Sequence, residues 1–112
     1  MDPEKAVLNQ GVFREVNERI RGVNPLTPQQ SDFVCECAST DCTEIVTLQV
    51  DDYDEIRRVS THFLVKGDTE HVFPETEERI FAKREGYFVV EKFGQAGVIA
   101  VTLDVRRPPV ES

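Results

Sequence analysis

Four apolar positions, Phe13, Val16, Ile20 and Val23, recur at intervals of three, four and three residues, which is one face of a 3.6-residue period. The spacing predicts a helix over residues 3–23. Asp2 suits its N-cap, Pro3 its first position, and Asn24-Pro25 its end. The opposite face reads as charged, through Arg14, Glu15, Glu18, Arg19 and Arg21, so the apolar stripe is expected to lie on a sheet. Residues 24–32 are polar and read as a linker.

Beyond the linker the period shortens to two. Residues 33–38 and 43–50 predict strands joined by a tight Ser39-Thr40-Asp41 segment, with Val46, Leu48 and Val50 forming one apolar face. Residues 51–59 predict a short helix capped by Asp51 and Asp52, with Tyr53, Ile56 and Val59 inward. A short strand over 63–66 leads into a loop over 67–75. Residues 78–84 and 87–93 then predict a hairpin about Glu85-Gly86. The stretch 95–103 is rich in β-branched residues that suit a strand, yet Gly94 and the segment 104–108 frame it equally well as a helix. Helix is the reading adopted. Phe13, Phe33, Tyr53, Phe63, Phe81 and Phe88 fall on apolar faces and are read as core, whereas Phe73, Tyr87 and Phe93 are read as core or partly buried, with an exposed patch as the alternative. The chain from Arg106 onward reads as loose. Together these elements predict an α+β fold: an N-terminal helix, a small mostly antiparallel sheet, a short middle helix and a C-terminal helix. Residues 1–107 are expected to form one domain and 108–112 a flexible tail.

Composition adds a limit. Val, Ile, Leu and Phe supply 33 of the 112 residues, above the roughly 20% below which chains stay disordered. That core is modest, and a metal clip would supplement it. The net charge of −8 and the scattering of cations outside Arg57-Arg58 and Arg106-Arg107 argue against a phosphate-binding surface, so no nucleic-acid partner is expected. The opening Met1-Asp2-Pro3-Glu4-Lys5 lacks the apolar core of a signal peptide, and no stretch approaches 18 apolar residues. A cytoplasmic protein without membrane contact is the expectation.

All three cysteines fall within eight residues, Cys35, Cys37 and Cys42. In a reducing compartment, clustered thiols read better as ligands than as a disulfide framework. On a strand, Cys35 and Cys37 would leave the same face with Cα atoms ~6.6 Å apart at ~3.3 Å per residue, and the turn before Cys42 would return a third sulfur to that place. Three thiolates and one imidazole make a closed tetrahedral site of the kind zinc prefers. His71, in a loop, is favoured over His62, which abuts a strand. Buried thiols acting as small hydrophobes, a disulfide that leaves one thiol over, and an iron–sulfur centre are the competing readings. Glu36 lies between two ligands and so faces away from them. No nucleophile–base pair and no phosphate-cradling glycine motif is present. The expectation is a non-catalytic zinc-binding module that contacts another protein; the alternative is a thiol-based redox sensor or small metalloenzyme.

Several segments together carry a resemblance: residues 13–20, Phe33-Val34-Cys35-Glu36-Cys37 with Asp41-Cys42-Thr43-Glu44, the junction over 48–57, and Gly86-Tyr87-Phe88-Val89-Val90-Glu91-Lys92. Over most of residues 11–107 the chain resembles a small bacterial domain, mainly actinobacterial, to which no activity is assigned. Its members carry Pro-Gly-His in the loop after the third strand. The resemblance implies that His71 rather than His62 is the functional histidine, and it favours a C-terminal helix. Thr69-Glu70 stands here where that family has Pro-Gly.

Overall fold

The computed structural model describes residues 2–23 and 30–106. The stop at Asn24-Pro25, the linker over 24–29 and the tail beyond 106 lie outside the described residues. The element order is α1 (Pro3–Gly22), β1 (Gln30–Val34), β2 (Ile45–Gln49), α2 (Val50–Arg57), β3 (His62–Lys66), β4 (Glu78–Arg84), β5 (Tyr87–Lys92) and α3 (Gly94–Leu103). Two 3-10 turns, Thr69–His71 and Pro74–Thr76, occupy the loop between β3 and β4. The fold is α+β, as the periodicities predict. Its strands divide between a two-stranded ribbon, β1–β2, and a three-stranded sheet in the order β3-β5-β4, antiparallel throughout.

Asp2 caps α1 by accepting from the Glu4 N–H at 2.9 Å, and Pro3 takes the first helical position. The buried face is not the one the apolar spacing predicts. Ala6, Val7, Gln10, Gly11, Arg14 and Asn17 are buried, whereas Phe13, Val16 and Ile20 are half-buried and Val23 is 77% exposed. The helix is rotated by about a third of a turn from the expected orientation. The reason lies in what it faces, which is unpaired main chain as well as apolar side chains. Asn17 donates to the Val34 carbonyl and accepts from the Val34 N–H, both at 2.8 Å. Gln10 donates to the Glu36 carbonyl at 3.1 Å. Arg14 donates to the carbonyls of Ser60 and Ala100 at 2.6 and 2.9 Å, and its guanidinium lies 4.2 Å over the Phe63 ring. Buried peptide groups need partners, and this polar stripe supplies them.

Two strand limits differ from expectation. β1 starts at Gln30 and ends at Val34, and β2 covers only Ile45–Gln49, so the cysteine segment lies in a ten-residue connection, not on a strand. Val46 and Leu48 do face inward, in line with the alternation. α2 begins one residue early, at Val50. Its N-cap is Gln49, which makes no side-chain cap bond, so Asp51 and Asp52 sit in the first turn instead of capping. Tyr53 and Ile56 are buried, but Val59 follows the helix and is exposed. The hairpin of β4 and β5 forms about Gly86, whose φ of 86° suits a residue without a Cβ. Phe81, read as core, is 59% exposed. The register steps from Ile80↔Val90 to Ala82↔Val89, so Phe81 is the extra residue of a β-bulge.

The segment 95–103 is helical. α3 buries Ala96, Gly97 and Ala100, and it packs on α1 and β5. Its cap comes from far away in sequence: Phe93 at the N-cap makes no side-chain bond, and Glu77 instead accepts from the Ala96 N–H at 3.0 Å. Arg106 is not loose. It donates to Glu18 at 2.7 Å and to Asp54 at 3.0 Å, joining a network in which Arg57 bridges Glu18 and the buried carboxylate of Asp104.

Candidate metal centre

Cys35-Glu36-Cys37 leaves the end of β1 and runs along the edge of β3. Glu36 N–H donates to the Leu64 carbonyl at 2.7 Å, and Lys66 N–H donates to the Cys35 sulfur at 3.2 Å. The segment therefore bridges the ribbon and the sheet while its side chains alternate sides. Cys35 and Cys37 are buried on one side; Glu36 is buried on the other. Cys42 returns through the turn at Thr40-Asp41, with its N–H donating to the Ser39 carbonyl at 3.4 Å.

His71 comes from the other end of the fold, in the 3-10 turn Thr69–His71. Asp68 caps that turn by accepting from the Glu70 N–H at 2.9 Å, and the His71 N–H donates to the Asp68 carbonyl at 3.1 Å. The turn aims Nδ1 at the cysteines, 3.7 Å from the Cys35 sulfur and 3.6 Å from the Cys42 sulfur. The ligand atoms of Cys35, Cys37, Cys42 and His71 all lie within 4.8 Å of one another. Thr69-Glu70 thus builds the turn that carries the histidine.

The donor set fits a tetrahedral cation. With Zn–S of about 2.3 Å and Zn–N of about 2.0–2.1 Å, a tetrahedron has S···N edges of about 3.6 Å and S···S edges of about 3.8 Å. The Cys35 sulfur also receives the Lys66 main-chain N–H at 3.2 Å, and the main chain at Ser39 and Glu44 acts to lower the Cys37 and Cys42 thiols. Such donors favour thiolates. Among themselves the sulfurs single out one anion. The Cys37 thiol is pulled down to about 5, first by its hydrogen bond with Cys35, with His71 and the Ser39 N–H adding to this against burial. Cys35 is pushed up by its bond to Cys37 and by burial, and Cys42 by burial above all. A divalent cation is what would let all three ionise together. None of the three is in a disulfide.

His62 is not part of this cluster. Its Nε2 lies 3.2 Å from a Glu91 carboxylate oxygen, and its ring packs 4.2 Å from that of Phe81. Glu36, which alternation places away from the sulfurs, proves to be a strut beneath them. One carboxylate oxygen accepts from Asn17 at 2.7 Å and from the Tyr53 hydroxyl at 2.9 Å, and the other accepts from the Leu64 N–H at 2.9 Å. Burial pushes its carboxyl up, against these three donors. Nothing in the local pattern marks Asn17 or Tyr53 as its partners, because they come from α1 and α2. No family model, curated protein or solved structure matches this chain.

Proposed function

We propose that Cys35, Cys37, Cys42 and His71 hold one zinc ion in a closed structural site, and that the domain it fastens is a non-catalytic cytoplasmic module that contacts another protein. The observation that carries the metal reading is the convergence of four donor atoms within 4.8 Å from segments on both sides of β3. The S···N separations of 3.6 and 3.7 Å match the edge of a zinc tetrahedron. A closed site is supported by where the neighbouring groups go. Glu36 has both oxygens engaged in the core and His62 is tied to Glu91, so neither is placed as a general base for a metal-bound water. The same reading takes in the resemblance to the actinobacterial CxCx4C domain. Among the described residues no helix is long and apolar enough to cross a membrane.

Cobalt substitution tests the site. Tetrahedral ligation by three sulfurs and one nitrogen predicts intense visible d–d bands with a thiolate charge-transfer band in the near ultraviolet; weak octahedral bands would contradict it. The redox-sensor alternative rests on one observation, that Cys42 and His71 are only half-buried. Stoichiometric hydrogen peroxide decides between them: a structural site keeps its zinc, a sensor releases it.

A further inference from the structure

α2 packs on β3, and between α2 and the β4–β5 hairpin a cleft of about 240 Å³ opens on one face of the three-stranded sheet. Asp52 and Glu55 line it from the helix; His62, Phe81, Arg84 and Tyr87 line it from the strands. The bulge at Phe81 matters here. Because Phe81 is the extra residue in β4, it lines the cleft together with its neighbour Ala82, and bulges re-aim side chains in this way.

The molecule treats its other rings differently. Arg14 lies 4.2 Å over Phe63, Arg79 4.9 Å over Phe93, Lys83 5.5 Å over Phe88 and Arg106 5.9 Å over Tyr53. Among the described residues no arginine or lysine covers Phe81 or Tyr87, which line the cleft with the His62 ring that packs 4.2 Å from Phe81. Asp52 makes no ion pair among the described residues, and Glu55 has only an exposed contact with Arg58 at 3.3 Å. Two aromatic rings free of arginine and lysine, Tyr87 and the His62-backed Phe81, stand beside two acidic side chains on a chain of net charge −8, a setting that suits a cation. The cleft's volume is below the roughly 300–1,000 Å³ of drug-sized pockets and suits one long side chain.

We propose that this cleft receives an arginine or lysine side chain from a partner protein, its charged head against Phe81 and Tyr87 and answered by Asp52 and Glu55. The proposal rests on the reading of the chain as an interaction module and is independent of the metal. Arg84, the like charge on the rim, provides the discriminating control.

The test is titration of the zinc-loaded protein, followed by amide NMR, with acetyl-Gly-Arg-Gly-amide and with the Glu and Leu versions of that peptide. The expected result is saturable shifts around residues 52–56, 81–82 and 87–89 with the Arg peptide alone. Asp52→Asn and Phe81→Ala, both at exposed positions that leave folding intact, each weaken binding about two- to fivefold, and Arg84→Ala binds at least as tightly as the parent. Three results would overturn it: Glu-peptide binding that Arg84→Ala abolishes, equal binding of the Leu peptide, or no saturable shift in the cleft. A native partner that binds the protein but leaves the cleft amides unmoved would also sink the cleft, while sparing the interaction reading.

Discussion

Asn17 does with one amide what a strand neighbour would do, closing both polar groups of Val34 and also donating to Glu36. Asn17→Ala should therefore leave the Val34 N–H and carbonyl without a partner and the Glu36 oxygen that Asn17 serves with the Tyr53 hydroxyl alone. With about 1–3 kcal/mol per unsatisfied group and partial rescue by water, a loss of about 2–4 kcal/mol is expected, read as a lower urea midpoint with unchanged slope. Val23→Ser, at the exposed end of the predicted apolar stripe, should stay within about 0.5 kcal/mol. Polar residues at helical spacing read in a sequence as a solvated face, which is why Gln10, Arg14 and Asn17 were not legible as core. The cysteines were legible because their chemistry is local and clustered.

The Arg57–Asp104 pair makes the residue scale pH-dependent. Burial would push the Asp104 carboxyl up, but hydrogen bonds from Arg57, Ser60 and the Arg106 N–H hold it below the usual range. A carboxyl depressed in the folded state adds stability that is present above its unfolded pKa of about 3.9 and is lost as pH falls through the folded value. Urea midpoints should therefore drop as pH is lowered beneath about 4. Asp104→Asn should be less stable at pH 7, by about 3–5 kcal/mol for breaking a buried pair, and flatter across that acid window. An equal slope in both proteins would contradict the assignment.

At the scale of elements, α3 depends on Glu77, a residue outside the helix whose own φ of 59° is left-handed. Two effects oppose each other there. Its carboxylate stabilises the helix start, while its backbone carries the strain of a non-glycine residue in that region. Glu77→Ala keeps the strain and loses the cap, so thermal melts should show a loss of about 1 kcal/mol; Glu77→Gly also loses the cap but relieves the strain, and should fall nearer the parent. Equal losses would show that the strain is negligible. The types of α1, α2 and the five strands were legible from period; over 95–103 period left strand and helix open, and the helical lean is borne out. Limits were less so: after one more in-register bond, from the Cys35 N–H to the Glu44 carbonyl, the chain leaves β2 and the Glu36 N–H donates to Leu64 of β3, a tertiary choice that the alternation Phe33, Cys35, Cys37 does not reveal.

Across the whole molecule, the ribbon and the three-stranded sheet meet along the Glu36–Leu64 contact, and the cysteine–histidine cluster sits at that seam. A metal there links segments 29 to 36 residues apart, and binding energy at such a site is folding energy. Chelation at neutral pH is expected to raise amide exchange first in residues 35–44 and 67–76, with β3, β4 and β5 opening later. Uniform exchange in both states would show that the cluster is not what joins the two parts. The measurement that bears most directly on the central claim is elemental analysis of the purified protein beside three variants. One zinc per chain is expected in the parent and in His62→Ala, near none in Cys37→Ser, and a marked loss in His71→Ala. A parent without metal, or a Cys37→Ser protein that keeps its full complement, would contradict it.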